Sequence, residues 1–329
     1  MKYVIFSFIS ILTLFGCSSS PSVESEKEDH TESLEFGTTQ LHKKKHANEY
    51  SWLSYVPNSI DKNKHVIIVI TGVNGNIITN DYEDTVTETQ NVFSSNTDNL
   101  KIDNIAYLCP IIPRTEDPYA YSVSLNRDTM IGSAVNSSRR ADLKVIKIID
   151  TFANSLINSG LKPEKKIIIE GFSAGAMFAQ RFALLHPDYV YAVVAGSPGG
   201  CLTMPLSEVD GIKLNWPLGI NDFEKITGET FRIDEYRDVY QYIYIGSADR
   251  SNSTVRIGNN DIYTDNQIKL IFKLFGIEDP ERLQKQVEIS SGTFPRIHFM
   301  LYPGMRHTKN NQVKKDIEAY LNNLIKLYD

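Results

Sequence analysis

From residue 65 onward the chain alternates short β-branched and aromatic runs with longer stretches whose apolar residues recur at helical spacing, and few folds accommodate that alternation. A run that is apolar throughout has no polar face to offer water, so it must be covered on both sides. The runs are 65–70, 105–108, 166–169, 191–194, 242–245 and 297–301, each of strand length and most closed by turn residues. Between them, residues 142–159 place Leu143, Ile146, Ile149 and Phe152 at helical intervals and meet Gly160, a residue suited to a helix C-terminal cap. Residues 313–327 repeat that pattern. The spacing predicts an α/β protein with a mostly parallel central sheet and helices on both faces. Two connections, 199–239 and 250–295, exceed what such a sheet needs. The first carries Trp216, Pro217, Phe223 and Phe231 and reads either as a small lid insertion or as a surface excursion.

The amino terminus bears on the compartment. Lys2 precedes an apolar run over 3–15 that ends in Leu14-Phe15-Gly16-Cys17. A membrane-crossing helix needs about 20 apolar residues, and this run is shorter and stops at a small residue before a cysteine. It resembles the signal peptide (1–16) and lipobox of a bacterial lipoprotein. That resemblance implies cleavage before Cys17, lipidation of Cys17, and an exported domain held to a bilayer by two or three acyl chains such as palmitate, far more firmly than by one. Ser18 stands where an aspartate would mark inner-membrane retention, which implies the outer membrane in a host that has one. Residues 17–46 hold few aliphatic side chains and read as a flexible tether before a domain over 47–329, although a short strand within 34–41 could pair with 50–56. The Lys43-Lys44-Lys45 run reads as a solvated end of the tether, with headgroup contact as the sharper alternative.

A formal net charge of -6 offers no basic face for a phosphate backbone, so nucleic acid is not an expected partner. Beyond Cys17 only Cys109 and Cys201 remain, without the CxxC spacing of a metal or redox pair. They read as two buried thiols or a single bridge. No metal site and no cofactor is expected.

The chemistry centres on Gly171-Phe172-Ser173-Ala174-Gly175, which joins the apolar run 166–170 to a helical stretch over 176–186. Glycines on either side of a serine let the backbone bend sharply, so that the hydroxyl projects above the sheet edge at a helix N-terminus. A serine hydroxyl attacks only when a base takes its proton. Of seven histidines, His30, His42 and His46 lie in or beside the tether, His65 opens a strand, His186 closes the helix after Ser173, and His298 sits within the last strand. His307 is left, in a loop between the last strand and the last helix, and is the expected general base. Asp249, after the strand over 242–245, is the expected partner of its other ring nitrogen, with Asp222, Asp234 and Asp265 as competitors. The oxyanion of a tetrahedral intermediate needs two preset N–H donors. Ala174 supplies one by position, and Val73, in the turn Thr71-Gly72-Val73-Asn74-Gly75, is the expected second, with Gly72 and Asn74 as neighbours.

Together these residues resemble the α/β-hydrolase superfamily from about Tyr50 to the C-terminus, and within it the secreted esterase and polyhydroxyalkanoate-depolymerase-like group. Gly246-Ser247-Ala248-Asp249 and Gly304-Met305-Arg306-His307 occupy the places where that group carries its acid and its histidine. Thr71-Gly72 departs from the His-Gly common at the oxyanion turn. The resemblance implies an α/β-hydrolase fold and hydrolysis of a small-molecule or polymeric carboxylic ester through an acyl-enzyme. Peptidase, amidase and acyltransferase chemistry use the same triad, and a catalytically silent binding lipoprotein is the alternative of another class. Oligomeric state is not indicated.

Overall fold

The computed structural model describes residues 33–73, 82–97, 102–112, 115–116, 119–120, 122–132, 139–251, 254–258 and 262–327. The leader 1–16, Cys17 and Asn74 lie outside the described residues. Among the described residues, no helix is long and apolar enough to cross a membrane.

Eight principal strands among the described residues build one sheet: β1 (Thr39–His42), β2 (Trp52–Tyr55), β3 (His65–Ile70), β4 (Ile105–Pro110), β5 (Ile167–Phe172), β6 (Val190–Gly196), β7 (Tyr240–Gly246) and β8 (Ile297–Tyr302). Their order is β1-β2-β4-β3-β5-β6-β7-β8, with a two-residue strand, Lys162–Pro163, added beside the start of β3. Only the β1–β2 and β2–β4 pairs are antiparallel. The remaining neighbours run parallel, as buried apolar runs require. The helices are α1 (Tyr82–Thr97), α2 (Arg127–Ile131), α3 (Ala141–Asn158), α4 (Ala174–Leu185), α5 (Phe223–Thr227), α6 (Ile233–Arg237), α7 (Asp265–Phe275), α8 (Asp279–Ser291) and α9 (Asn311–Ile325).

Because strand side chains alternate faces, each apolar run feeds two cores. Val66, Ile68 and Ile70 of β3 join Ile167 and Ile169 of β5 in the core under α3, α4, α7 and α8. Ile67, Val69 and Ile168 face the opposite way, against Val86 and Phe93 of α1 and Val313, Ile317 and Leu321 of α9. From β3 the chain passes to β4 on one side, and from β5 to β6 on the other. The ends of β3 and β5 therefore part company, which opens a crevice at the carboxyl edge of the sheet.

The tether expected to reach residue 46 is shorter than that. Thr39–His42 pair with Trp52–Tyr55, and His42 is buried, its ring stacked on Trp52 at 3.6 Å and its Nε2 2.8 Å from the Ser54 hydroxyl. A polar segment orders here because its neighbour supplies backbone partners and an aromatic face, which composition does not register.

The long connection 199–239 contains a two-strand hairpin, α5 and α6. Trp216 is fully buried, and its indole N–H donates to the Leu125 carbonyl at 2.8 Å. Rings then follow in contact from Trp216 through Phe223, Phe231 and Tyr236 to Phe294. Gln180 of α4 bonds both the N–H and the carbonyl of Thr203, and Arg181 bonds the Thr203 hydroxyl, so the start of the excursion is clasped to the body of the fold. Cys109 and Cys201 are buried free thiols, one in each core.

Asp142, in the first turn of α3, is completely buried. Burial alone would raise its pKa. Hydrogen bonds from His186 at 2.9 Å and from Arg140, whose Nη2 lies at 2.8 Å, outweigh that and hold it below the ordinary carboxylate range. A depressed carboxyl stabilises the fold above its unfolded pKa of about 3.9 and loses that contribution as pH falls through the folded value. Asp142→Ala strands two donors and should cost about 3–5 kcal/mol at pH 7. In denaturant titrations, the gap between wild type and variant should narrow below about pH 4.

Candidate active site

The turn after β5 is a steric arrangement before it is a chemical one. A Cβ added to Gly171 would lie 2.2 Å from the backbone of Gly175, and a Cβ added to Gly175 would lie 2.3 Å from the Val73 carbonyl oxygen. Glycine at both places therefore lets β5, the start of α4 and the turn after β3 touch backbone to backbone. Ser173, between them, is held at φ 56° and ψ -117°, a conformation that costs a non-glycine residue roughly 1–3 kcal/mol. Its N–H donates to the Gly196 carbonyl of β6 at 2.9 Å, and its own carbonyl receives the N–H of Gly199 at 3.2 Å. The side chain is partly exposed and sits at the N-terminus of α4.

Two further loops leave the same edge of the sheet. β7 and β8 end in register at Gly246 and Tyr302, so the segments after them emerge side by side. They are stitched together where Ala248 N–H donates to the Met305 carbonyl at 2.9 Å and Gly304 N–H to the Ser247 hydroxyl at 2.8 Å. Across this seam His307 Nδ1 lies 2.9 Å from Asp249 Oδ2. The Asp249 side chain is 2 % exposed and that of His307 28 %, so the acid is sheltered while the ring reaches the surface of the crevice. Burial raises the Asp249 pKa. The hydrogen bonds from His307 and from Ser251 N–H, the latter at 3.0 Å, more than offset this, so the carboxyl sits below its ordinary value. A sheltered carboxylate that accepts from Nδ1 leaves Nε2 as the nitrogen able to accept a proton. The His307 ring lies with its centroid 4.8 Å from that of Phe172, the residue immediately before Ser173.

The other candidates are engaged elsewhere. His186 bonds Asp142, His65 lies 2.6 Å from Glu164, and His298 stacks on Tyr242. Asp222 pairs with Arg127, Asp234 with Arg237, and Asp265 accepts from Gly258 N–H.

Ala174 is the first residue of α4, whose leading N–H groups have no partner within the helix. Val73 is buried, with its carbonyl against Gly175. Between these two turns lies a cavity of about 280 Å³, bordered among the described residues by Gly72, Val73, Asn96, Phe172, Ser173 and Lys309 together with the strand residue Glu170. Glu170 was not among the residues expected at the site. It is 2 % exposed, it accepts from the Thr71 hydroxyl at 2.6 Å, and it pairs with Lys309 at 2.9 Å. The available signal is a single acid closing the apolar run Ile167-Ile168-Ile169.

No protein-family model matches the chain, and no curated protein matches its sequence. Similarity appears at the level of solved structures. Poly(aspartic acid) hydrolase-1 from Sphingomonas sp. KT-1 superposes with a TM-score of 0.53 at 16% identity, over 88% of this chain and 99% of that one. A poly(3-hydroxybutyrate) depolymerase from Bordetella parapertussis gives 0.50 at 16% identity, over 87% and 88%. The chain has the α/β-hydrolase fold.

The glycine contacts generate a direct check. Gly175→Ala must push the Val73 turn away from Ser173, so its thermal unfolding should show a loss of about 1–3 kcal/mol, the usual cost of overpacking. Gly292→Ala is the control, since nothing lies within 4 Å of its added carbon and its φ of -60° suits alanine; it changes no contact near Ser173.

Proposed function

We propose that this protein is a serine hydrolase acting on carboxylic esters. The observation that supports the reading best is the Asp249–His307 pair, whose ring stands against Phe172 beside a serine held at a left-handed φ. In this reading Ser173 Oγ attacks the acyl carbonyl while His307 Nε2 takes its proton, and Asp249 orients the ring and stabilises the imidazolium. The N–H groups of Ala174 and Val73 receive the developing oxyanion. His307 then returns the proton to the departing alcohol, and water, activated by the same ring, releases the acid.

The cavity beside Ser173, at about 280 Å³, falls at the lower edge of the roughly 300–1,000 Å³ of common ligand sites, which favours a compact acyl group. The excursion 199–239 reads as a fixed excursion rather than a moving lid, because Trp216 and Thr203 are bonded into the body of the fold. The protein is exported and held to a membrane through lipidated Cys17.

Three measurements test this reading. A fluorophosphonate probe should label the wild type and not Ser173→Ala, whereas an unlabelled, folded wild type would favour a silent binding protein. On a panel of esters and amides, short acyl esters should turn over fastest, and Asp249→Asn should lower kcat by about 10⁴-fold, the loss that follows when an amide fixes the wrong histidine tautomer. Cys17→Ser should move the protein from the membrane fraction to the soluble fraction of its host; continued membrane association would sink the anchor.

A further inference from the structure

The catalytic reading leaves one buried ion pair unused. Glu170 lies three residues before Ser173 on β5, almost wholly out of water, and a carboxylate in that position is costly unless each oxygen is satisfied. Its two oxygens go to two different parts of the chain. Oε2 accepts from the hydroxyl of Thr71, at the end of β3 and two residues before Val73, at 2.6 Å. Oε1 accepts from Nζ of Lys309, two residues after His307, at 2.9 Å. Thr71 Oγ1 is itself approached by Asn96 Nδ2 of α1 at 3.3 Å.

Each tie falls where the backbone is not already fixed by the sheet. Thr71 N–H still bonds the Leu108 carbonyl at 3.0 Å, but Gly72 turns to φ 78° and the chain leaves β3 there. The histidine loop is pinned at its start by the Tyr302–Met305 and Gly304–Ser247 bonds. It is pinned again after Lys309, where the Asn310 side chain caps α9 through Val313 N–H at 3.0 Å. Between those anchors, Lys309 is the tie that reaches back to β5. Replacing a buried ion pair with apolar groups of similar shape is often neutral or stabilising, so stability alone does not account for charge at this spot. A hydrogen-bonded pair does what an apolar contact cannot, since it is directional and sets register.

We infer that Glu170 is a positioning residue, a single carboxylate that clamps the oxyanion turn, the nucleophile strand and the histidine loop into one constellation. The inference rests on the serine-hydrolase reading for its purpose and on the hydrogen-bond geometry for its substance. Glu170 touches no reacting atom in this scheme; it acts through Thr71 and Lys309.

The test compares the wild type, Thr71→Val and the double variant Glu170→Gln/Lys309→Met, which removes both charges without stranding either. Two quantities are read: the rate of fluorophosphonate labelling at Ser173 and backbone amide exchange over 71–73 and 306–309. The double variant should unfold at a temperature near that of the wild type, label at least tenfold more slowly, and exchange at least tenfold faster over 306–309, while the amide oxygen that Glu170→Gln introduces still accepts from Thr71. Thr71→Val, which cuts one arm, should accelerate exchange over 71–73 only and slow labelling by at least threefold. Unchanged exchange and labelling, or a change in unfolding temperature alone, would overturn the clamp. Should the double variant fail to fold, Thr71→Val decides by itself. A wild type that is never labelled counts against the serine-hydrolase reading, and the exchange pattern then still decides whether the clamp exists.

Discussion

One close backbone approach at the candidate site is the contact on which the rest turns. Three segments, the end of β5, the first turn of α4 and the turn after β3, meet where a single methyl group at Gly171 or Gly175 would overlap a neighbouring main chain. That contact forces the chain to reverse within one residue, and the residue that reverses is Ser173. Strain at Ser173 is tolerated because its N–H and carbonyl are both bonded, to Gly196 and Gly199, so the surrounding strands over-determine its conformation. The same contact seats Val73 at the border of the cavity that Ser173 also lines.

Among the described residues, two aspartate–histidine pairs share the same 2.9 Å separation in different surroundings. Asp142 and His186 lie at the start of α3 and the end of α4, with Arg140 holding the acid through a fork of bonds. The Asp249 carboxylate accepts from His307 and Ser251 N–H, while the neighbouring guanidinium, Arg250, bonds the Asp249 backbone carbonyl instead, and the histidine remains partly open. An acid already paired with a guanidinium gains less from an adjacent imidazolium than one that depends on it. Location at the carboxyl edge of the sheet, and a carboxylate that no described guanidinium bonds, separate the second pair from the first.

What was legible in the sequence is what local pattern controls. The β-branched runs predict β3 through β8 because each must be covered on both faces, and helix α3 follows from its apolar spacing and from Gly160. That Asp249 and His307 emerge near one another also follows from pattern, since each ends a strand of a parallel sheet. Less legible is whatever depends on distant partners. A strand within 34–41 paired with 50–56 is legible, but its extension to His42, whose ring stacks on Trp52, is not. Trp216 finds its acceptor 91 residues away, at Leu125, so its burial is a tertiary fact. Glu170 is visible as one charge closing an apolar run, but its partners lie 99 and 139 residues distant.

The topology explains why these distant residues converge. In a sheet ordered β4-β3-β5-β6, the chain leaves β3 toward β4 and β5 toward β6, so the segments that follow the two strands turn away from each other. A gap of that kind is a crevice by construction, and backbone groups at both lips lose the sheet partners they would have had. Something must satisfy them or hold them apart. Here Gly175 against Val73 closes the floor, and the Thr71–Glu170–Lys309 chain of bonds spans the wall, leaving Ser173 at the border and the His307 ring against Phe172. The cavity is thus what remains open after the strand order has separated two loops and a handful of polar bonds has fixed their distance. Its outline follows from Val73, Phe172 and Lys309, and Ser173 stands at its border.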